Sequence, residues 1–383
     1  MKPADTKPGS KPAAERPQVS APAATLTPDG RALIQRILTQ DPKGLINEGN
    51  TCFMASVMQA FILHDPEILD HVFKNPIIFP ELHSFIFGIY ASSGETVAGI
   101  DAVRAGLLKE RFSRYPSERW SQQDAHEPLM AFYTKIISPS SLCIELKTYN
   151  QYKIEEGGPH PISSEASEMR ERSDGQKYVE RQGAVSVGVP YIEVEFPEKP
   201  PETAPLTWKG LLGTADKKGQ PELEDLFKDF FVNENVSKGK NSYLTLLTGD
   251  SARGAYKEHD FFLIGERRRF ETAPQTLPII LKRFKHEEGR ESQKINTPVS
   301  IPFSFSLSEA YVEDQRARNY DFESFVFHEG RSPRGGHYFS YVRKGKRWFL
   351  ANDGRISEVN PQNTDFQRHL AGAYMVKYRK QDS

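Results

Sequence analysis

A cysteine that opens a helix behind a turn of glycine and asparagine has different chemistry from a cysteine in a core. The stretch Gly44-Leu45-Ile46-Asn47-Glu48-Gly49-Asn50-Thr51-Cys52-Phe53-Met54 has this form. Backbone N–H groups at a helix start are unpaired and carry partial positive charge, which favours thiolate over thiol at Cys52. Gly49 lets the backbone approach a substrate carbonyl closely, and Asn47 can lend its side-chain amide to a developing oxyanion. A lone cysteine at such a place is more often a small buried hydrophobe, so a nucleophile here requires a base from elsewhere in the chain.

The segment Gly335-Gly336-His337-Tyr338-Phe339-Ser340-Tyr341-Val342 sets a histidine at the entry to an alternating strand, behind two glycines able to form an exposed turn. Asn352 and Asp353 follow after Trp348-Phe349-Leu350. Two strands joined by a turn near Lys344–Lys346 bring the start of one beside the end of the next, so that Asn352 or Asp353 faces His337 and fixes its tautomer. Cysteine, histidine and an amide or carboxylate in this order follow the chemical logic of papain-like proteases. By itself a histidine at a strand end is surface decoration.

These residues must be positioned by two kinds of element. From Cys52, apolar residues recur at helical spacing (Phe53, Val57, Phe61, with Met54, Met58 and Ile62 on the adjoining row) until Pro66. Further helices are predicted around Arg31–Leu38, Leu82–Ile89, Leu107–Phe112 and Gln123–Ile137, and over Leu223–Phe231, where one apolar stripe runs along a single face. Strands are expected at Val185–Val189, Ile192–Phe196, Leu277–Phe284, Val299–Phe305, Phe322–His328, His337–Val342, Arg347–Leu350 and Ala373–Tyr378. Residues 150–180 read as a polar loop. The class is α+β, a helical lobe followed by a mostly antiparallel sheet region.

With 383 residues, 37% of them hydrophobic, the chain suits one large catalytic unit with a tail. Residues 1–40 form a Pro/Ala-rich tail, disordered at least to about residue 28, and 41–380 the catalytic domain. Fifty basic against fifty-one acidic residues give a net charge of −1, which argues against a general binder of nucleic acid or anionic membrane. No apolar run reaches the roughly 18–20 residues of a membrane span, so no membrane insertion is expected. Met1–Ser20 has no apolar signal-peptide core. The two cysteines, Cys52 and Cys143, exclude a disulfide scaffold and a four-thiolate zinc site and suit a reducing compartment, cytoplasmic or nuclear.

Gly44–Gln59 resembles the cysteine box of the ubiquitin-specific protease family, and Gly336–Val342 with Trp348–Asp353 resembles its histidine box. Gln122-Gln123-Asp124-Ala125-His126-Glu127 is similar to the family's Gln-Gln-Asp-Ala-x-Glu segment. Leu277-Pro278 with Leu281-Lys282-Arg283-Phe284, Lys294–Pro302 and Ala373–Tyr378 match further blocks, all in family order from Gly44 to about Arg379. The resemblance implies a papain-like fold shaped as a right hand, in which a helical thumb carries the nucleophile, a β palm the histidine, and β fingers grip ubiquitin. It implies Cys52 as nucleophile, His337 as general base, Asn352 in the third place with Asp353 beside it, and Asn47 in the oxyanion hole. Gln123, Asp124 and Glu127 are then substrate-binding, with Asp124 and Glu127 meeting the basic tail of ubiquitin, a pairing for which arginine and carboxylate are geometrically suited. The partners implied are ubiquitin, polyubiquitin chains and ubiquitinated proteins, and no cofactor is required.

Two departures stand out. Family fingers often hold zinc on two Cys-x-x-Cys pairs, and this chain has neither, so its fingers, roughly 150–270, must stand by packing with no metal. Asn352 also replaces the more frequent aspartate, and asparagine orients an imidazole without supporting its charge. Two alternatives share these residues: a ubiquitin-binding scaffold with weak or no catalysis, and a protease for a ubiquitin-like modifier. Action in host cytosol is a further possibility if the chain belongs to a pathogen.

Overall fold

The computed structural model describes residues 28–91, 93–115, 121–134, 146–153, 169–171, 177–182, 191–196, 221–233, 240–246, 256–270, 272–285, 292–312 and 318–381. The first part is helical: α1 (Pro28–Thr39), α2 (Cys52–Val57), α3 (Pro66–Lys74), α4 (Pro80–Ala91), α5 (Ile100–Leu107), α6 (Lys109–Arg114) and α7 (His126–Phe132). A short parallel pair, β1 (Gly44–Leu45) and β2 (Thr96–Val97), ties the segment before α2 to the segment before α5. Every residue of α2 is buried, and the helix runs on into a π-helical turn at Met58–Ile62 that is buried as well. That is why both apolar rows of this stretch are needed: a helix apolar on all sides is a core helix. Pro66 ends that run and also begins the next one. Asp65 caps α3, its Oδ1 accepting from Glu67 N and Ile68 N at 3.1 Å each, and Pro66 occupies a position where no N–H is required.

The helix expected over Arg31–Leu38 is present as α1, and it packs Ile34 and Ile37 into the helical core. Residues 28–39 of the 1–40 stretch assigned to the tail are therefore helical. The helix expected over Gln123–Ile137 starts later, at His126, because Asp124 forms a capping turn ahead of it, its Oδ1 accepting from His126 N at 2.9 Å.

A second sheet comprises β3 (Leu146–Lys153), β4 (Met169–Glu171), β5 (Lys177–Gln182), β7 (Val232–Asn233), β8 (Lys240–Leu246) and β9 (Tyr256–Phe270), in the order β4-β5-β3-β9-β7 with β8 also on β9. The polar loop expected over 150–180 is thus corrected, since β3, β4 and β5 lie in or across it. Its polar composition hid strands that exist because β3 pairs along its length with β9 and β5, a long-range ladder rather than a local preference. Val185–Val189 lie outside the described residues. The stripe on α8 (Leu223–Phe231) is confirmed, with Leu223, Leu226, Phe227 and Phe231 buried.

The large sheet contains β6 (Ile192–Val194), β10 (Thr276–Leu281), β13 (Ser304–Ser306), β14 (Asn319–Ser332), β15 (Gly335–Lys344), β16 (Arg347–Asn352), β17 (Arg355–Val359) and β18 (Met375–Lys380). Its order is β17-β16-β15-β14-β18-β10-β6, with β13 on β14. A separate pair, β11 (Phe284–Lys285) and β12 (Gln293–Lys294), lies beside it. Val326, Tyr338 and Met375 join the helical core, while Phe325, Phe339 and Tyr341 join the core beneath α9 (Thr364–Ala371). The sheet is therefore covered on both faces, thumb on one side and α9 on the other. The strand expected over Val299–Phe305 shrinks to Ser304–Ser306, since Pro298 and Pro302 supply no N–H for a ladder. Arg283, fully buried, donates to the carbonyls of Ala371, Ala373, Ile295 and Thr297, which explains why the Leu-Lys-Arg-Phe block needs a planar multidentate cation.

Candidate active site

Cys52 is the first residue of α2 and is 3% exposed. The turn before it is organised around Asn47. Asn47 Oδ1 accepts from Gly49 N at 3.2 Å, Thr51 N at 3.0 Å and Thr51 Oγ1 at 3.2 Å. With its oxygen committed inward, the amide nitrogen must point away from the turn, and it does: Nδ2 donates to Asp353 Oδ2 at 3.0 Å. Gly49 and Asn50 have φ of 100° and 51°, and the left-handed conformation of a non-glycine such as Asn50 is uncommon outside sites where surroundings enforce it.

His337 enters on β15, paired through its backbone with Glu329 of β14. The hairpin between β15 and β16, with Gly345 at φ 60°, returns the chain so that Asn352 stands beside it. His337 Nε2 lies 2.7 Å from Asn352 Oδ1, which selects the tautomer that carries a proton on Nε2. The ring's other nitrogen remains for Cys52. The neighbouring Cys52 side chain is the largest influence that pushes the His337 pKa up to about 9, with Asn352 and Asp353 helping and burial opposing. The site thus favours an imidazolium facing sulfur.

Asp353 is the second member of the Asx pair, with φ 48°. Its Oδ2 is 4.0 Å from His337 Nε2, beyond hydrogen-bond reach but close enough to act through charge. The alternatives left open by sequence therefore separate into two roles: Asn352 holds the imidazole and Asp353 holds Asn47. Asp353 is itself tethered by its carbonyl, which accepts from Leu45 N at 2.9 Å. At this crossing Gly44 lies so near Gly354 that an added Cβ would sit 2.1 Å from the Gly354 oxygen, which accounts for the glycine at the head of the cysteine box.

The residues expected to bind substrate divide. Asp124 is half-buried, and its Oδ1 accepts from the Tyr374 hydroxyl at 2.7 Å. Glu127 is half-buried in the first turn of α7. Gln123 is instead 1% exposed and donates to Ser121 Oγ at 2.8 Å, a framework position inside the lobe. Tyr374 and Tyr338 were read from sequence only as parts of strands. Tyr374 reaches Asp124 directly, and the Tyr338 hydroxyl donates to Pro333 O at 3.0 Å and is bonded by the backbone of Ala125. The signal that could have found them is a tyrosine within a strand expected to be buried, since a buried hydroxyl requires a partner.

A buried thiol beside an imidazole that an amide orients, with a second amide aimed by a carboxylate, can perform nucleophilic acyl transfer. Comparisons with known proteins agree with this chemistry. The chain is 26% identical over 394 residues to a probable ubiquitin carboxyl-terminal hydrolase 16 of Schizosaccharomyces pombe, covering 96% of this chain and 74% of that protein. It is 23% identical to ubiquitin carboxyl-terminal hydrolase 10 of Xenopus tropicalis, covering 99% of this chain and about half, 52%, of that longer protein. Among solved structures it resembles the SAGA Ubp8/Sgf11/Sus1/Sgf73 DUB module bound to ubiquitin aldehyde, with a TM-score of 0.54, 15% identity, and coverage of 90% of this chain and 71% of that one; at this identity the likeness speaks for the fold. Residues 43–378 match the profile of the ubiquitin carboxyl-terminal hydrolase family, and the chain belongs to that family.

Proposed function

We propose that this protein is a thiol-dependent deubiquitinase that cleaves isopeptide or peptide bonds after the terminal glycine of ubiquitin, with Cys52 as nucleophile. The observation that carries this assignment of residues is the His337 imidazole held at 2.7 Å by Asn352 and raised in pKa chiefly by the neighbouring Cys52. Cys52 Sγ attacks the glycine carbonyl carbon, and the C=O electron pair moves to oxygen. The oxyanion is received by the Cys52 backbone N–H and by Asn47 Nδ2, whose aim is set by Asp353. As the tetrahedral adduct collapses, the C–N bond breaks and His337 gives its proton to the leaving amine. Water then attacks the thioester carbonyl carbon while His337 takes a proton from that water, the C–S bond breaks to return the Cys52 thiolate, and ubiquitin departs as its carboxylate. No step requires a cofactor.

Asp124 and Glu127 are the proposed contacts for a cationic ubiquitin tail, a reading supported by the Tyr374 hydroxyl that holds Asp124. Ubiquitin as the partner is supported by the neighbour's ubiquitin-aldehyde complex. Action in a reducing compartment, cytoplasmic or nuclear, is part of the proposal and rests on the requirement for a free Cys52 thiol.

An electrophilic ubiquitin probe tests the assignment. It should label wild-type protein at neutral pH and fail to label Cys52→Ala, leaving Cys143 unmodified. Undiminished labelling of Cys52→Ala would refute the assignment. Running the same probe chemistry on ubiquitin-like modifiers distinguishes a ubiquitin enzyme from one for a relative of ubiquitin, and binding without labelling identifies a scaffold.

A further inference from the structure

Two side chains outside the catalytic group, one on the 47–51 turn and one on a neighbouring helix, tie the two together. Glu48 Oε2 accepts from Gly99 N and Asp101 N, both at 2.9 Å, at the start of α5. Gly99 caps that helix with φ 104°. Arg104, on α5 and 0% exposed, donates from Nη1 to Gly49 O at 3.0 Å. Its Nε donates to Asp101 Oδ1 at 2.9 Å, and its Nη2 contacts the same oxygen. Asp101 therefore serves both anchors, bonding Glu48 through its N–H and Arg104 through its carboxylate. The result is a closed ring that runs Glu48, Asp101, Arg104, Gly49.

The reason for such a ring lies in what the turn must do. Its two ends supply the Asn47 amide and the Cys52 N–H, and between them Gly49 and Asn50 occupy left-handed backbone conformations. Bonds inside the turn, from Gly49 and Thr51 to Asn47 Oδ1, set its local shape but not its orientation relative to Cys52's lobe. A carboxylate against the exposed N–H groups of α5 is electrostatically favoured. A fully buried guanidinium is costly unless its donors are met, so Arg104 defines where Gly49 O must be. Oxyanion donors act through preorganised geometry, so small displacements at this turn reach the chemistry directly.

We infer that Glu48 and Arg104 are positioning residues for the oxyanion hole, fixing the 47–51 turn from α5 so that Asn47 Nδ2 and the Cys52 N–H converge. The inference rests on the roles proposed above for Asn47 and Cys52. It is tested with the full chain on a ubiquitin–fluorophore substrate, comparing Glu48→Ala, Glu48→Gln and Arg104→Lys. Glu48→Ala should lower kcat about 10–100-fold with KM within about threefold, as for loss of an interaction made in the transition state. Glu48→Gln keeps an acceptor oxygen and should recover most of that loss. Alkylation of Cys52 by iodoacetamide forms no carbonyl oxyanion, so its rate in Glu48→Ala should match wild type. Ubiquitin affinity measured in the Cys52→Ala background should be unchanged by adding Glu48→Ala.

Wild-type kcat in Glu48→Ala would overturn the inference. So would a loss of kcat matched by an equal loss of iodoacetamide reactivity, which would mean a disturbed thumb. Should Arg104→Lys fail to fold, the Glu48 pair still decides the matter. If Cys52→Ala itself retains hydrolysis, the active-site assignment fails; if Cys52→Ala is inactive and Glu48→Ala fully active, only the present inference does.

Discussion

The carboxylate of Asp353 accepts a 3.0 Å hydrogen bond from the amide of Asn47 across 306 residues of sequence, joining the turn before Cys52 to the strand end beside His337. Asp353 is held at this junction by its left-handed backbone and by the Leu45 N–H on its carbonyl. It stands 4.0 Å from His337 Nε2, so one carboxylate aims Asn47 and adds negative charge near the imidazolium.

Separate roles for Asn352 and Asp353 predict a specific pattern of losses. Asn352→Ala should reduce turnover about 10–100-fold, roughly 1.4–2.7 kcal/mol of barrier. Asp353→Ala should fall in the same range while leaving His337 bonded to Asn352. The double variant should approach His337→Ala, because the residues act on one transition state. Hydrolysis of a ubiquitin–fluorophore conjugate measures all four. Near-wild-type rates in the double variant would mean that His337 is oriented by another group.

The pKa of about 9 at His337 gives a pH prediction with a definite sign. A histidine raised in the folded state adds stability that is complete below its unfolded value near 6.5 and is lost as pH rises through about 9. The basic limb of the kcat/KM profile should therefore fall near pH 9, where the imidazolium deprotonates. Asn352→Ala removes a hydrogen bond that favours the charged ring and should move that limb to lower pH. A limb that stays in place would show that Asn352 does not bond the reacting histidine.

The two glycines before His337 should respond differently to substitution. A Cβ on Gly336, at φ 130°, would lie 2.2 Å from Glu329 O and 2.8 Å from His328 Nε2, whereas one on Gly335 would meet nothing within 4 Å. Gly336→Ala should displace the start of β15 and cost activity more than tenfold, with reduced thermal stability, since overpacking commonly costs about 1–3 kcal/mol. Gly335→Ala should stay within about threefold of wild type. Equal behaviour of the two would contradict this geometry.

Gly44→Ala tests the crossing that joins the cysteine box to Asp353. The new methyl would overlap the Gly354 carbonyl, forcing β1 or the Asp353 turn to move. Loss of turnover with retained ubiquitin binding is expected, read by steady-state kinetics beside binding in a Cys52→Ala background. Unaltered kinetics would show that the Asn47–Asp353 bond is dispensable.

Tyr374→Phe removes the hydroxyl that bonds Asp124 at 2.7 Å. If Asp124 meets the tail of ubiquitin, KM should rise severalfold with kcat nearly unchanged, the signature of uniform binding. A change confined to kcat would instead place Tyr374 nearer the chemistry.

Much of this site was legible in the sequence because it is built from local patterns. Cys52 at the start of a helical period, Gly336 before a strand histidine, and the Asx pair after the returning strand each follow from spacing along one segment. The buried stripe of α8 and the hairpin of β15 and β16 were legible for the same reason. What the residues left undetermined was pairing across the chain. Of the strands in or across 150–180, β3 pairs with β9 far downstream and β5 and β4 build outward from β3, so no local apolar pattern announces them. The choice between Asn352 and Asp353 depended on a turn with φ 48° at Asp353, which swings one side chain to His337 and the next to Asn47. Gln123, polar in a polar block, proved to be buried, because burial is decided by what packs over a residue. Glu48 and Arg104 meet only once α5 is laid against the turn. Sequence determined which groups are present and which local conformations they favour; the tertiary structure alone decided their partners, because a hydrogen bond across hundreds of residues leaves no periodicity to read.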